Sequence, residues 1–198
     1  LAENLRFLQT QQLDETDLDM AQIYRASIGA AGSAGALGVF LTKGDGDTNR
    51  EMLLRLSPPP AFDSEDSEPS VDTLIDFILQ HVARYELPSR SEIQPSNAKL
   101  HASSAYVTAS LLKLLCEWVF EMPKAVSQVL SSPSSVSLGI LTRSKKNSHD
   151  KKDGLMAMQS IAESVPALSG LLLGLCLEDM VDTELASATS EENAAWTR

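Results

Sequence analysis

Four oxygen-bearing side chains recur at alternate positions in "DGDTNRE": Asp45, Asp47, Asn49 and Glu51. That alternation opens a calcium loop, whose hard oxygen donors gather around the ion. The loop also needs glycine at its sixth position and glutamate at its twelfth. Arg50 and Leu56 stand there instead. The segment therefore reads as a solvated turn leading into a helix. A second pattern is "SIGAAGSAGALGVF", with Gly29, Gly32, Gly35 and Gly38 three residues apart. A phosphate-cradling turn needs Gly-x-Gly-x-x-Gly after a strand. Here helix-like sequence precedes the glycines. Every third position stays near one helix face while drifting slowly around it. The series predicts a smooth surface where a neighbouring backbone comes close, with a flexible loop as the alternative. Four glycines also weaken a helix, by about 1 kcal/mol each relative to alanine.

The remaining chemical candidates are sparse. His81, His101 and His149 have no metal spacing, and His81 falls on the polar side of its helix. Cys116 and Cys176 lie inside leucine-rich runs and read as reduced core thiols. No Gly-x-Ser-x-Gly occurs. The residues name no acid, base and nucleophile, so the expectation is a protein without catalysis, cofactor or metal. Arg143, Lys145, Lys146, Lys151 and Lys152 form a basic loop in an acidic chain. Near anionic lipid each such residue contributes about 1 kcal/mol. The plainer reading is an exposed, solvated loop. The acidic loop from Asp63 to Glu68 carries Ser64 and Ser67 among carboxylates, an acidophilic phosphorylation context or a solvated linker.

The elements that position these residues are helical. The chain has 198 residues, a net charge of −11 and only 5% aromatics, which favours helix over sheet. The negative balance argues against nucleic acid as a partner. No signal peptide is evident, and the apolar run "VPALSGLLLGLCL" is too short to span a bilayer.

"LAENLRFLQTQQL" predicts a short helix with Leu1, Leu5 and Leu8 on one side. Residues 17–43 follow without a proline as a long helix, its glycines the place for a break. "TNREMLLRL" adds a short helix ended by "SPPP". Val71, Leu74, Ile75, Ile78, Leu79 and Val82 then form one stripe, with Ser70 as N-cap. The strongest helix runs from Tyr106 to Met122, with Leu111, Leu115 and Trp118 on a broad apolar face. Trp118 is expected in the core rather than at a partner surface. Pro123 breaks that helix and starts another. "SSPSSVSLGIL" reads as a turn and a short helix, and Pro166 kinks or divides the last apolar segment.

About eight helices with short loops and no convincing strand make an all-α fold. Paired helices around tight turns point to an armadillo-like helical superhelix, an α-α solenoid, against a plain bundle.

Three stretches add a resemblance. "ASLLKLLCEWVFEMPKAVSQVL", residues 109–130, resembles the helix–proline–helix unit near the end of the globular head of the general vesicular transport factors, the Uso-type vesicle tethers. Cys116, Trp118, Pro123, Ala125 and Val126 carry it. "ALSGLLLGLCLED", with Leu172, Leu173, Gly174 and Cys176, is similar to the helix that follows in that head. Upstream, "NREMLLRL", "PPP" and "LIDFIL" keep the family's order.

The resemblance implies that residues 1–182 are the C-terminal portion of an armadillo-like tethering head and 183–198 a flexible polar tail. It implies vesicle tethering and docking in ER-to-Golgi and intra-Golgi transport, by a cytoplasmic protein peripheral on Golgi and vesicle membranes. Its partners would be Rab GTPases, SNAREs or other tethering machinery. Leu111, Leu115, Cys116, Trp118, Pro123, Leu172, Gly174 and Cys176 would be structural core. The basic loop departs from the family's acidic one. No heptads follow Asp179, so homodimerisation would need a coiled-coil tail that these residues do not include. The alternatives are an unrelated armadillo or HEAT adaptor for a peptide segment, and a small helical enzyme.

Overall fold

The computed structural model describes residues 1–11, 20–43, 45–57, 73–85, 98–143 and 163–181. These form an all-α fold, with no strand among the described residues. The elements are α1 (Ala2–Gln11), α2 (Met20–Thr42), α3 (Gly46–Leu54), α4 (Leu74–Ala83), α5 (Ala98–Val119) and α6 (Pro123–Ser131). A 3-10 turn (Pro133–Ser135) leads into α7 (Val136–Thr142), and α8 covers Glu163–Val181.

Local sequence explains most boundaries. Asp45 caps α3, its carboxylate accepting from the Thr48 hydroxyl at 2.6 Å and from the Thr48 amide. Thr73 caps α4 through a reciprocal box with Asp76. This corrects the expected cap: Ser70 lies outside the described residues, and the helix begins where Thr73 satisfies its first free amides. Pro123 opens α6 as expected, and Glu121, at φ 54°, turns the chain between α5 and α6. α2 is unbroken through its glycines. α8 is unbroken through Pro166, which lies near the start of the described helix, where a proline is best accommodated.

α2 and α5 make the most extensive contact in the fold. Gly38, near the end of α2, faces Glu117, near the end of α5, so the two helices run alongside with their C-terminal ends together. α1 covers another flank of α2. α4 is enclosed by α3, α5, α6, α7 and the 3-10 turn. α8 reaches α5 through Cys116, whose thiol lies 3.8 Å from the Leu168 carbonyl, and reaches α7 near Thr142.

The glycine series behaves differently from a single smooth face. At about 100° per residue, a step of three turns back by about 60°. Three steps carry Gly29 and Gly38 to opposite sides of α2. A Cβ at Gly29 would lie 2.5 Å from the Asn4 side chain on α1, and one at Gly38 would strike the Glu117 carboxylate. Gly32 and Gly35, between them, meet nothing within 4 Å. Ala26, Ala30, Ala34 and Gly38 are all buried, and Gly38 meets α5 at Glu117.

Candidate functional site

A shallow depression of about 260 Å³ among the described residues is lined by Glu51, Leu54, Arg55, Lys124 and Gln128. Two helices build it. On α3, Leu53 turns inward to the core, which leaves Glu51 and, one turn later, Arg55 at the surface. On α6, Ala125, Val126 and Val129 are buried, so Lys124 and Gln128, also one turn apart, face outward beside them. Lys124 pairs with Glu51 across 73 residues of chain. That contact, with Arg55 nearby, holds the Glu51 carboxyl below its ordinary range. Two cations thus share one carboxylate, a local positive excess on a chain of net charge −11. Gln128 Oε1 is buried with no hydrogen-bond donor among the described residues. A buried acceptor without a donor is costly to the fold. Arg55 and Lys124 can hold a carboxylate of a peptide, while Gln128 Oε1 is closed off from a ligand at the surface. They offer no nucleophile.

The predicted core is largely in place. Leu111, Leu115, Trp118, Leu172 and Cys176 are fully buried, and Cys116 nearly so. Pro123 and Gly174 are corrected: both are exposed. Pro123 acts through its backbone at the start of α6. Gly174 lies on the side of α8 away from Val165, Ser169, Leu172 and Cys176, the buried stripe. Both cysteines are free. Burial, then Cys176 and Glu117, push the Cys116 thiol up to about 12, and burial with Asp179 pushes Cys176 up to about 11. They remain thiols at neutral pH, which is not how a reactive cysteine is built.

His81 is a second correction. It is buried, not on a polar face, because packing encloses α4 on nearly every side. Its Nδ1 has no partner among the described residues. Burial, and Arg84, depress its pKa to about 4. Among the described residues no group of His, Cys, Asp or Glu could hold a metal ion, and Asp45 is occupied as a helix cap.

Of the basic loop, Arg143 is the exposed C-cap of α7. Lys145, Lys146, Lys151 and Lys152 lie outside the described residues, as do Ser64, Ser67, His149 and the tail 183–198. The membrane expectation also needs correction. α8, taken as a whole helix rather than as its apolar run, is long and apolar enough to cross a bilayer by length and composition. A mostly buried core helix passes the same test, but only 22% of the apolar window of α8 is buried here.

The depression was not visible in the sequence. Its signal was two i,i+4 polar pairs, Glu51 with Arg55 and Lys124 with Gln128, and nothing along the chain says that they meet. Comparison with family models, curated proteins and solved structures finds no match for this chain.

Proposed function

We propose that this chain is a non-catalytic interaction module, the C-terminal portion of an armadillo-like tethering head in ER-to-Golgi and intra-Golgi vesicle transport. The supporting observation is the layering of long helices. α2 lies along α5 with matched ends, and α8 lies on another flank of α5. In helical arrays each layer buries its face on the next, leaving extended rigid surfaces for protein partners. Rab GTPases and SNAREs as those partners, and a peripheral place on Golgi membranes, come from the resemblance of residues 109–130 and 167–179 to the vesicle tethers. A pull-down of the chain with Rab GTPases loaded with GTP analogue or GDP tests the reading. Selective capture of a GTP-loaded Rab is expected. Equal capture in both nucleotide states, or none, overturns this segment as the Rab-binding part.

The depression favours a second reading, an adaptor for a peptide segment. Arg55 and Lys124 supply the charge for a carboxylate. A fluorescent peptide of alternating Asp and Leu would bind in a salt-dependent manner and lose affinity in Arg55→Glu. Binding unchanged by that substitution removes the depression from the account.

A further inference from the structure

Serine followed by proline occurs twice in the chain, at Ser57-Pro58 and at Ser132-Pro133. Proline-directed protein kinases read this step. The proline brings no N–H to the cleft and holds the serine before it in extended backbone. The sequence does not choose between the two serines, but their places in the fold do.

Ser132 is closed to a kinase. It is 4% exposed. Its amide donates to the Gln128 carbonyl and its carbonyl accepts from the Ser135 amide, both at 3.1 Å, so it is fixed between α6 and the 3-10 turn. A phosphate there would bury a charge that nothing on the page compensates.

Ser57 is the opposite case. It is exposed, and so are Arg55 and Leu56 before it. α3 has ended at Leu54, and Ser57 is in no helix. The backbone just before it is anchored. The Leu56 amide donates to the Leu53 carbonyl at 3.1 Å, and the Leu56 carbonyl accepts at 3.2 Å from the amide of Leu74, the first residue of α4. Ser57 therefore stands at a fixed point beside the N-terminus of α4.

The charges at that point favour a phosphate. Arg55 is two residues away, a backbone span of at most about 7 Å, so its guanidinium fork reaches a phosphate on Ser57. The N-terminus of α4 adds partial positive charge. The carbonyl end of α3 and the Asp76 carboxylate oppose it, but Asp76 is already engaged by Thr73, whose hydroxyl donates to it at 2.8 Å.

We propose that Ser57 is a phosphorylation site for a proline-directed serine kinase, and that its phosphate pairs with Arg55. Ser57 Oγ attacks the γ-phosphorus of ATP. The Oγ–P bond forms as the bond from that phosphorus to the bridging oxygen breaks, ADP leaves with the electron pair, and the kinase's base takes the hydroxyl proton. The product carries about −1.5 to −2 charge at neutral pH. Paired with Arg55, it withdraws one of the two cations that line the depression and reverses the local positive excess. The site stands independently of both readings of function.

The full chain, incubated with ATP and purified kinases of the mitogen-activated and cyclin-dependent classes and mapped by tandem mass spectrometry, tests the proposal. One phosphate is expected, on Ser57, with Ser132 unmodified while the chain is folded. Ser57→Ala should abolish it, and because Ser57 is exposed, circular dichroism should show unchanged folding. In phosphorus NMR the second ionisation of the phosphate, ordinarily at about 6, should fall below that value and return to it in Arg55→Gln. A chain unmodified at Ser57, or modified equally at Ser132, overturns the site. An ionisation indifferent to Arg55→Gln overturns the pairing.

Discussion

The indole Nε1–H of Trp118 donates to the backbone carbonyl of Arg50 at 3.4 Å, across 68 residues of chain. Through that bond the end of α5 is tied to α3, and so to the turn that follows α2. The ring itself is fully buried. Trp118 thus fills the core and satisfies a backbone acceptor at once.

Trp118→Ala should destabilise the fold by roughly 3–5 kcal/mol, the range for emptying a large buried site. Trp118→Phe keeps most of the volume and loses the hydrogen bond, so its loss should be distinctly smaller. Denaturant melts of the two variants check the order. A loss under about half a kcal/mol for alanine would be that of a surface residue.

His81 makes stability pH-dependent in a defined direction. Its folded pKa is about 4, below the ordinary 6.5, because burial disfavours the imidazolium. Between those values the unfolded chain binds more protons than the folded one. The contribution is therefore fully present above pH 6.5, falls as pH drops from 6.5 towards 4, and does not fall further below that. At about 1.4 kcal/mol per pKa unit the whole loss is roughly 3 kcal/mol. Melts across this window should show a flatter profile for His81→Leu than for the wild type.

The four glycines of α2 should separate into two classes. Gly32→Ala and Gly35→Ala place a methyl in open space and should stabilise by up to about 1 kcal/mol each. Gly29→Ala and Gly38→Ala gain the same helix propensity but must displace the Asn4 amide or the Glu117 carboxylate, so their gain should be smaller or reversed. Thermal melts of the four single variants make the comparison. Equal gains at all four positions would mean that α1 and α5 do not approach as closely as described.

Cys116 and Cys176 should resist alkylation. Both are buried, and burial raises both thiols well above neutrality, so little thiolate is present to react. Mass spectrometry after iodoacetamide treatment should show negligible labelling of the native chain and two labels in denaturant. Rapid labelling of the native chain would require α8 to leave α5.

The α4–α5–α6 region was the most legible in the sequence. Leu74, Ile75, Ile78, Leu79 and Val82 were read as one stripe and are buried, and Pro123 begins α6 as its ring geometry favours. The same reasoning misplaced His81. A helical wheel ranks the residues of one helix against each other and says nothing about how many neighbours enclose that helix. Ser70 was read as the N-cap, whereas Thr73, three residues before Asp76, supplies the capping box. The depression between α3 and α6 could not be read at all, since its two halves are 73 residues apart along the chain at the Glu51–Lys124 pair.

What the sequence determined by itself was local: that these residues are helical, where proline starts a helix, and which side of most helices is apolar. Helix periodicity, proline geometry and capping act within one or two turns, so they are written in neighbouring residues. What only the tertiary structure decided was which faces meet. Gly38 rather than Gly35 faces Glu117, Trp118 reaches Arg50, His81 is enclosed, and the outer faces of α2 and α8 are left open. Those outcomes depend on how helices distant in sequence share a limited apolar surface, and no short-range pattern encodes that division.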